Sequence, residues 1–389
     1  MSQKGQSEFT FFEFFAGGGM ARAGLGPRWQ CRFANDIDPK KAESYCRNWG
    51  SDHFKLSDIN DLEAADLPDR PDLVWGSFPC QDLSLAGRGD GLSGARSGTF
   101  WGFWNLVRDL VSSGRRPPLI VLENVCGAIT SHGGRDFKAL TEALTAEGYR
   151  IGALIMDGSD FLPQSRPRLF IVGVADSVEL PTSAFGPLPH PAWHSKALVQ
   201  AVHSLPSSVQ DAWVWWHPPV PEGSRTTLAD LIEVCPQGVD WNSPEQTEYL
   251  LSMMSPVNRQ KIEAAQQLNR LVVGTIYRRS RPDQDGRSVQ RAEVRLDGKA
   301  GCLRTPSGGS SRQTLIFIEG KNIRTRLLSP REAARLMGLP DSYMLPIKYN
   351  DAYHLAGDGL VVPVIEHLSQ HLLTPIMNNH IRTQKKEAA

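Results

Sequence analysis

The chain has 389 residues, 40% of them hydrophobic and 22% charged. That is the composition of a globular protein with room for one large domain or two ordinary ones, and it excludes fibrous, wholly disordered and disulfide-scaffold classes. The 42 basic residues cancel the 42 acidic ones, but unevenly: residues 270–335 carry 15 basic and 6 acidic side chains, against 23 and 31 in residues 1–269. A positive stretch in a neutral chain is what a phosphate-contacting face leaves in a sequence, and equally what a solvated surface leaves.

Residues 8–15 form a β-rich run ending in a glycine turn, residues 29–34 a second strand, 73–75 a third, 119–122 a fourth and 168–174 another. Between them, residues 39–48, 102–111 and 134–147 read as helices. Alternation of this kind predicts an α/β, Rossmann-like fold: a mainly parallel sheet with helices on both faces and its chemistry at the carboxyl ends of the strands. After Val174 the sequence becomes Pro-rich, Trp-containing and weakly periodic, which marks a second, irregular unit. Its Trp213, Trp215 and Trp216 read as local core rather than as base-stacking rings. Regular structure resumes at Leu327, with Ser329, Pro330 and Glu332 opening a helix to Met337 that Gly338 closes. Residues 361–373 make a last amphipathic helix, and the final TQKKEAA reads as disordered. No run approaches the roughly 18 apolar residues of a membrane span, and residues 9–15, broken by Glu13, lack a signal peptide's charged leader and cleavage site, so a cytoplasmic protein without a membrane partner is expected.

The motifs fall at the predicted strand ends. Phe14-Phe15-Ala16-Gly17-Gly18-Gly19 is a turn through which backbone approaches a nucleotide-like ligand. Asn35-Asp36-Ile37-Asp38 ends the next strand, where an acid meets ribose hydroxyls in a dinucleotide-type fold. No GKS or GKT follows, so adenosine without phosphates fits as well as a dinucleotide. Asp58 in Ser57-Asp58-Ile59 suits either an adenine amino group or an ordinary helix cap. The six cysteines form no CxxC pair and no zinc ladder, so no metal is expected. Cys80, in Gly76-Ser77-Phe78-Pro79-Cys80-Gln81, lies on a rigid turn with a Gly/Ser-rich segment behind it, and is the cysteine with the strongest claim to be a nucleophile. Glu123-Asn124 ends the fourth strand, where a buried acid with a raised pKa can protonate a ring nitrogen. Arg166 and Arg168, in Gln164-Ser165-Arg166-Pro167-Arg168, suit a carbonyl or phosphate oxygen, or a surface ion pair.

In order and spacing FFAGGG, NDID, SDI, GSFPCQDLS, LENV, QSRPRLFIVG, RLLSPREAARLMGLP and AGDGLVVPV resemble the DNA (cytosine-5)-methyltransferase family. They cover most of residues 9–174 and 324–372, leaving about 150 residues in the middle without a match. The resemblance implies S-adenosylmethionine as cofactor, S-adenosylhomocysteine as its product and double-stranded DNA as partner. It makes Cys80, Glu123, Arg166 and Arg168 catalytic: Cys80 attacking carbon 6 of a flipped-out cytosine, Glu123 at ring nitrogen 3, and the arginines at the base carbonyl and its neighbours. It implies a cofactor pocket of Phe15, Ala16, Gly17, Gly18, Gly19, Met20, Asp36, Ile37, Asp58, Ile59, Pro79, Phe100, Asp358, Gly359 and Leu360. Residues 84–99 resemble a loop that closes over DNA. Substrate contacts are expected from Gln81, Ser84 and Asn124, and from the basic stretch through Arg278, Arg279, Arg281, Arg291, Arg304 and Arg312, at phosphates and guanine edges.

The implied division is a discontinuous catalytic domain, residues 1–175 and 325–389, with a target-recognition domain at 176–324. The role would be that of a restriction-modification or orphan bacterial or phage enzyme, acting as a monomer, with any cognate endonuclease encoded separately. Three positions depart from the family pattern: Met20 stands where glycine is usual, Asp36 where glutamate is commoner, and Asp358 where asparagine is normal, near the amino-acid end of the cofactor. Ordinary S-adenosylmethionine use is expected despite Asp358. The alternatives are a transfer-RNA cytosine methyltransferase, against which the long middle region counts, a catalytically silent DNA-binding module, and a dinucleotide oxidoreductase, which leaves Cys80 and the arginines unexplained.

Overall fold

The computed structural model describes residues 8–79, 98–233, 235–282, 285–303 and 312–387. The chain forms two compact units, one of Met1–Asp157, Pro167–Pro221 and Val362–Ala389, the other of Gly158–Arg166 and Glu222–Val361. These differ from the expected boundaries: residues 176–221 belong with the first unit and 325–361 with the second.

In chain order the first unit begins with β1 (Phe9–Phe14), α1 (Met20–Leu25), β2 (Trp29–Asp36), α2 (Pro39–Trp49), β3 (Phe54–Leu56), β4 (Leu73–Gly76), α3 (Thr99–Ser112), β5 (Leu119–Val125), α4 (Arg135–Ala146), β6 (Tyr149–Asp157) and β7 (Pro167–Ala175). The seven strands form one sheet in the order β3-β2-β1-β4-β5-β7-β6. β1 is an interior strand, between β2 and β4, and Phe9, Phe11, Phe12 and Phe14 are all buried. Apolar side chains pointing to both faces are what a strand covered by helices on each side requires, each large one contributing about 1.5–3 kcal/mol on burial. The five strands from β3 to β5 are mutually parallel, whereas β7 runs antiparallel to both β5 and β6. The reversal arises because β6 and β7 are joined by too little chain for a crossover, which needs a dozen or more residues. Local chemistry fixes the helices: the Asp38 carboxylate accepts from the Lys40 and Lys41 amides at the start of α2, with Pro39 in its first turn.

The first unit continues through β8 (Phe185–Gly186), α5 (Lys196–His203), α6 (Ser207–Asp211) and β9 (Trp215–Trp216). Of the three tryptophans expected to be core, Trp216 is fully buried, whereas Trp213 and Trp215 are half-buried, Trp213 meeting Phe137 edge-on at 6.1 Å. A Cβ on Gly152 would lie 2.5 Å from the Trp216 Nε1, so the close approach of that ring requires a glycine in β6.

The second unit holds α7 (Leu228–Leu231), α8 (Pro244–Ser252), α9 (Pro256–Gln266), β10 (Val272–Pro282), β11 (Ser288–Arg295), β12 (Thr314–Glu319), β13 (Asn322–Leu327), α10 (Pro330–Leu336) and α11 (Tyr349–Asp358). The middle region is thus not the irregular unit expected, since a four-stranded antiparallel sheet, β11-β10-β12-β13, organises it. One face, with Val272, Ile276, Ala292, Val294, Ile316 and Ile318, packs with Met254, Ile262 and Ala265 into a core. Strands that alternate apolar with Arg or Thr lack the long apolar runs that made the first unit's strands legible. As predicted, Ser329 caps α10 and its oxygen accepts from the Glu332 amide. Glu332 also forms a fully buried, two-pronged ion pair with Arg326 at 2.7 and 2.8 Å, and accepts from the Glu233 and Ser329 amides.

The chain closes in the first unit with α12 (Val362–Leu368), a π-helical turn at Ser369–Leu373 and α13 (Thr374–Glu387). The tail expected to be disordered is therefore helical as far as Glu387, because α13 continues a helix already nucleated by packed residues before it. No described helix is long and apolar enough to cross a membrane.

Removing one partner of the Arg326–Glu332 pair strands the other charge in the core. Glu332→Ala in the full chain is expected to lower unfolding free energy by about 3–5 kcal/mol in denaturant titration, whereas removing the exposed Arg47–Glu43 pair should change it by under about 1 kcal/mol.

Candidate active site

The first unit gathers its polar groups at the carboxyl edge of the sheet. After β1 the chain turns through Phe15, Gly17 and Gly19, with φ of 58°, 54° and 77°. A non-glycine residue in the left-handed region is strained, and Phe15 is one of three such among the described residues. A Cβ on Gly19 would come within 2.4 Å of the Trp49 indole nitrogen, which donates to the Gly18 carbonyl at 3.0 Å. The turn is pinned from β2: the Ala16 amide donates to the Asn35 carbonyl at 2.9 Å and the Gly17 amide to Asp36 at 2.8 Å.

Asp36 is therefore a brace as well as the predicted acid at the end of β2, its other oxygen accepting from the Asp38 amide at 2.9 Å. Ile37 beside it is 64% exposed, unusual for so large an apolar side chain. Asn35, not foreseen as a site residue, donates to the Lys55 and Ser57 carbonyls and so places the Ser57–Asp58 segment. Asp58 caps a short 3₁₀ turn, accepting from Asn60. Ala16, Met20 and Ile59 are buried and support the turns from behind. Phe100 is fully buried among Phe78, Trp101, Phe103 and Trp104, so its ring backs the site, contrary to its expected place in the pocket lining.

Glu13 is the other unforeseen residue, although a single acid within the apolar run FTFFEFF was a signal for it. It is 1% exposed, lies beside the Ala21 and Arg22 backbone at the start of α1, and keeps one carboxylate oxygen buried without a hydrogen-bond partner. Burial raises its pKa to about 8, with Arg22 pulling the other way and Asp36 adding to the rise. Arg22 in turn reaches Tyr45 at 3.1 Å and His53, and lies over the Trp49 ring at 5.0 Å.

At β4 the chain leaves through Phe78 and exposed Pro79 towards Cys80. Cys80, Gln81, Ser84 and the loop through residue 97 lie outside the described residues, as does Arg304. On β5, Asn124 donates to the Phe78 carbonyl at 3.1 Å and accepts from the Val125 amide. This makes it a clamp on the Phe78–Pro79 turn, in place of the substrate contact expected of it. Glu123 is buried and sits 3.1 Å from the Arg168 guanidinium. The antiparallel register produces that pair: Arg168 lies opposite Val125, which shares a face with Glu123, so the two side chains are diagonal neighbours.

Arg166, expected to share Arg168's role, belongs to the second unit. It is 3% exposed, and its guanidinium donates to the Leu303, Gly357 and Gly359 carbonyls at 2.7–3.1 Å and to Cys302. Its work is to hold the Gly357–Gly359 turn rather than to face a base carbonyl. Asp358 is exposed as the last residue of α11, where a negative charge opposes the helix dipole. Leu360 beyond it is buried, and Gly359 is half-buried. Arg312 lies over the Tyr349 ring at 5.3 Å. Arg278, Arg279 and Arg291 are exposed on β10 and β11, but Arg278 points to the opposite face from Arg279 and Arg291.

The profile of C-5 cytosine-specific DNA methylases matches residues 9–374. The chain belongs to that family. This methylase is 34% identical over 372 residues to the Type II methyltransferase M.HaeII of Haemophilus aegyptius, covering 95% of this chain and 94% of the relative. It is 25% identical over 370 residues to M1.ScrFI of Lactococcus lactis subsp. cremoris, covering 94% of this chain and 78% of the relative. Its fold resembles that of S. pombe Dnmt2 methyltransferase, with a TM-score of 0.59 and 19% identity over 95% of this methylase and 99% of the other chain. The oxidoreductase alternative falls with the family match.

Two measurements check this geometry. Gly19→Ala in the methylase should cost about 1–3 kcal/mol in unfolding titrations, from the left-handed backbone and the contact with Trp49. Glu13, protonated in the fold up to about pH 8, binds its proton more tightly than in the unfolded chain. Its contribution is therefore complete below the ordinary glutamate pKa and is lost as pH rises towards 8. Thermal unfolding should fall between pH 5 and 8, and Glu13→Gln should flatten that fall; equal slopes for both proteins would refute the assignment.

Proposed function

We propose that this protein transfers a methyl group from S-adenosylmethionine to carbon 5 of a cytosine flipped out of double-stranded DNA, through a covalent bond to Cys80. The observation that carries the reading is the Glu123–Arg168 pair, 3.1 Å apart at the strand edge, beside the Phe78–Pro79 turn that Asn124 clamps and that leads to Cys80.

A base placed there would have its ring nitrogen 3 at the Glu123 carboxyl and its carbonyl oxygen at Arg168. The hydrogen bond from Glu123 at nitrogen 3 draws electron density away from carbon 6, so that the Cys80 thiolate adds there, and the enamine formed by that addition is nucleophilic at carbon 5. After methylation, loss of the carbon 5 proton and departure of the thiolate restore the ring and free Cys80. Extrusion of the base is required because carbon 5 cannot be reached within the stack.

The residues suit S-adenosylmethionine, which supplies the methyl group. Positive φ at Phe15, Gly17 and Gly19 shapes a turn that leaves Phe15 and Gly17 half-buried at the strand edge, Asp36 stands at the end of β2 for ribose hydroxyls, and Ile37 offers an exposed apolar surface for adenine. Gly18, Asp58 and Pro79 border the same edge. Asp358, with Gly359 and Leu360, is assigned to the amino-acid end, where its carboxylate favours an ammonium group.

DNA reading is assigned to the part of residues 176–324 that lies in the second unit, with its basic strands. The relatives named as Type II methyltransferases support a restriction-modification role with a separately encoded endonuclease, and one active site needs no second chain. The cytoplasm is the compartment this role implies.

Nucleoside mass spectrometry on DNA from cells expressing the protein should show 5-methylcytosine, and Cys80→Ala should abolish it. The intact protein should also form a covalent complex with duplex DNA containing 5-fluorocytosine. Modified cytosine in RNA alone would transfer the reading to a transfer-RNA enzyme, and its absence from both would favour a silent DNA-binding module. Asp358→Asn should weaken cofactor binding; unchanged affinity and rate would remove that side chain from the site.

A further inference from the structure

The outer half of the β10–β11 hairpin stands apart from the sheet that carries it. β10 pairs with β12 from Val272 to Ile276, and beyond Ile276 its partner among the described residues is β11 alone, from Tyr277↔Glu293 to Pro282↔Ser288. Six paired positions make a two-stranded ribbon about 20 Å long. Such a ribbon is marginal in water without something to pack against. Its residues 278–280, 285–288, 290 and 291 are exposed.

Its charge is placed against its own stability. Arg279 lies directly opposite Arg291 in the ladder, an arrangement of like charges that destabilises an isolated pair of strands. Arg279 is propped by Glu293, 3.9 Å away, and by the Tyr277 ring at 4.7 Å, so its position is set by neighbours on its own face. Alternation puts Arg279 and Arg291 on the face opposite the one that continues into the Ile276, Ala292 and Val294 core. Arg278 falls on the other face. A narrow ribbon with two guanidiniums side by side matches a duplex major groove, about 12 Å wide and open to a two-stranded β-ribbon, where arginine pairs with both guanine acceptors.

We propose that this ribbon enters the major groove of the DNA, with Arg279 and Arg291 reading guanine edges and Arg278 contacting phosphate. The proposal rests on the reading of DNA as substrate, and its test is separable from that of catalysis. Full-length protein, Arg279→Gln, Arg291→Gln and Arg278→Gln would each be bound to duplexes selected by the unaltered protein from a random pool. Attack of dimethyl sulfate on guanine N7 would then be mapped, along with the salt dependence of binding.

The unaltered protein should protect particular guanines. Arg279→Gln and Arg291→Gln should each lose protection at one position and lose discrimination there by roughly 5- to 150-fold. Arg278→Gln should keep the same footprint while its logarithmic salt slope falls by about 1. Unchanged guanine protection in both Arg279→Gln and Arg291→Gln would overturn the proposal, as would a uniform loss of affinity without change of sequence preference, since that is a phosphate grip. Guanine protection lost in these variants, in a protein that leaves no 5-methylcytosine, would keep the ribbon and reject the catalytic reading. Methylation without protection dependent on Arg279 or Arg291 would do the reverse.

Discussion

The reversal of one strand shapes the catalytic edge. β1, β2, β4 and β5 run parallel and release their chains at one side of the sheet, while β7 starts there because it is antiparallel to β5. A strand that starts where its neighbour stops can bring an arginine to that neighbour's last carboxylate, and the register of Arg168 against Val125 sets it diagonally across from Glu123. A parallel β7 would have carried Arg168 to the far side of the sheet. The ion pair, the clamped Phe78–Pro79 turn and the approach to Cys80 all depend on this edge.

Around that edge, buried polar side chains serve the backbone first. Asp36 braces Gly17 and Asp38, Asn35 holds the Lys55 and Ser57 carbonyls, and Asn124 holds Phe78. Each satisfies groups that a turn leaves without a partner and that would be costly to bury alone. Turns held in this way keep their shape without a ligand, which is the preorganisation that binding at a strained Phe15 requires. Glu13 is different: it is buried beside the start of α1 with one carboxylate oxygen left without a hydrogen-bond partner, and burial makes its neutral form the stable one at neutral pH.

The two arginines of QSRPR show how far identical residues two positions apart can diverge. Arg166 spends its donors on carbonyls of the second unit, and Arg168 on a carboxylate of the first. The basic segment divides similarly. Arg326 is locked in a buried pair with Glu332 and Arg312 lies over Tyr349, while Arg278, Arg279 and Arg291 stay exposed. Net charge along a stretch of sequence counts these side chains alike, although burial decides which of them can meet an anion.

The amino-acid sequence by itself determined the parallel core of the first unit, its glycine turn, the acid at the end of β2, Glu123 at the end of β5 and the cap of α10. All rest on apolar runs, turn residues or capping pairs that act within a few positions of one another. Tertiary structure alone decided that β7 reverses, that Phe100 and Arg166 turn inward, that Asn124 clamps a turn, and that the middle region forms an antiparallel sheet. Those outcomes depend on which distant strand supplies the hydrogen bonds and which neighbours enclose a side chain, and no local pattern encodes either.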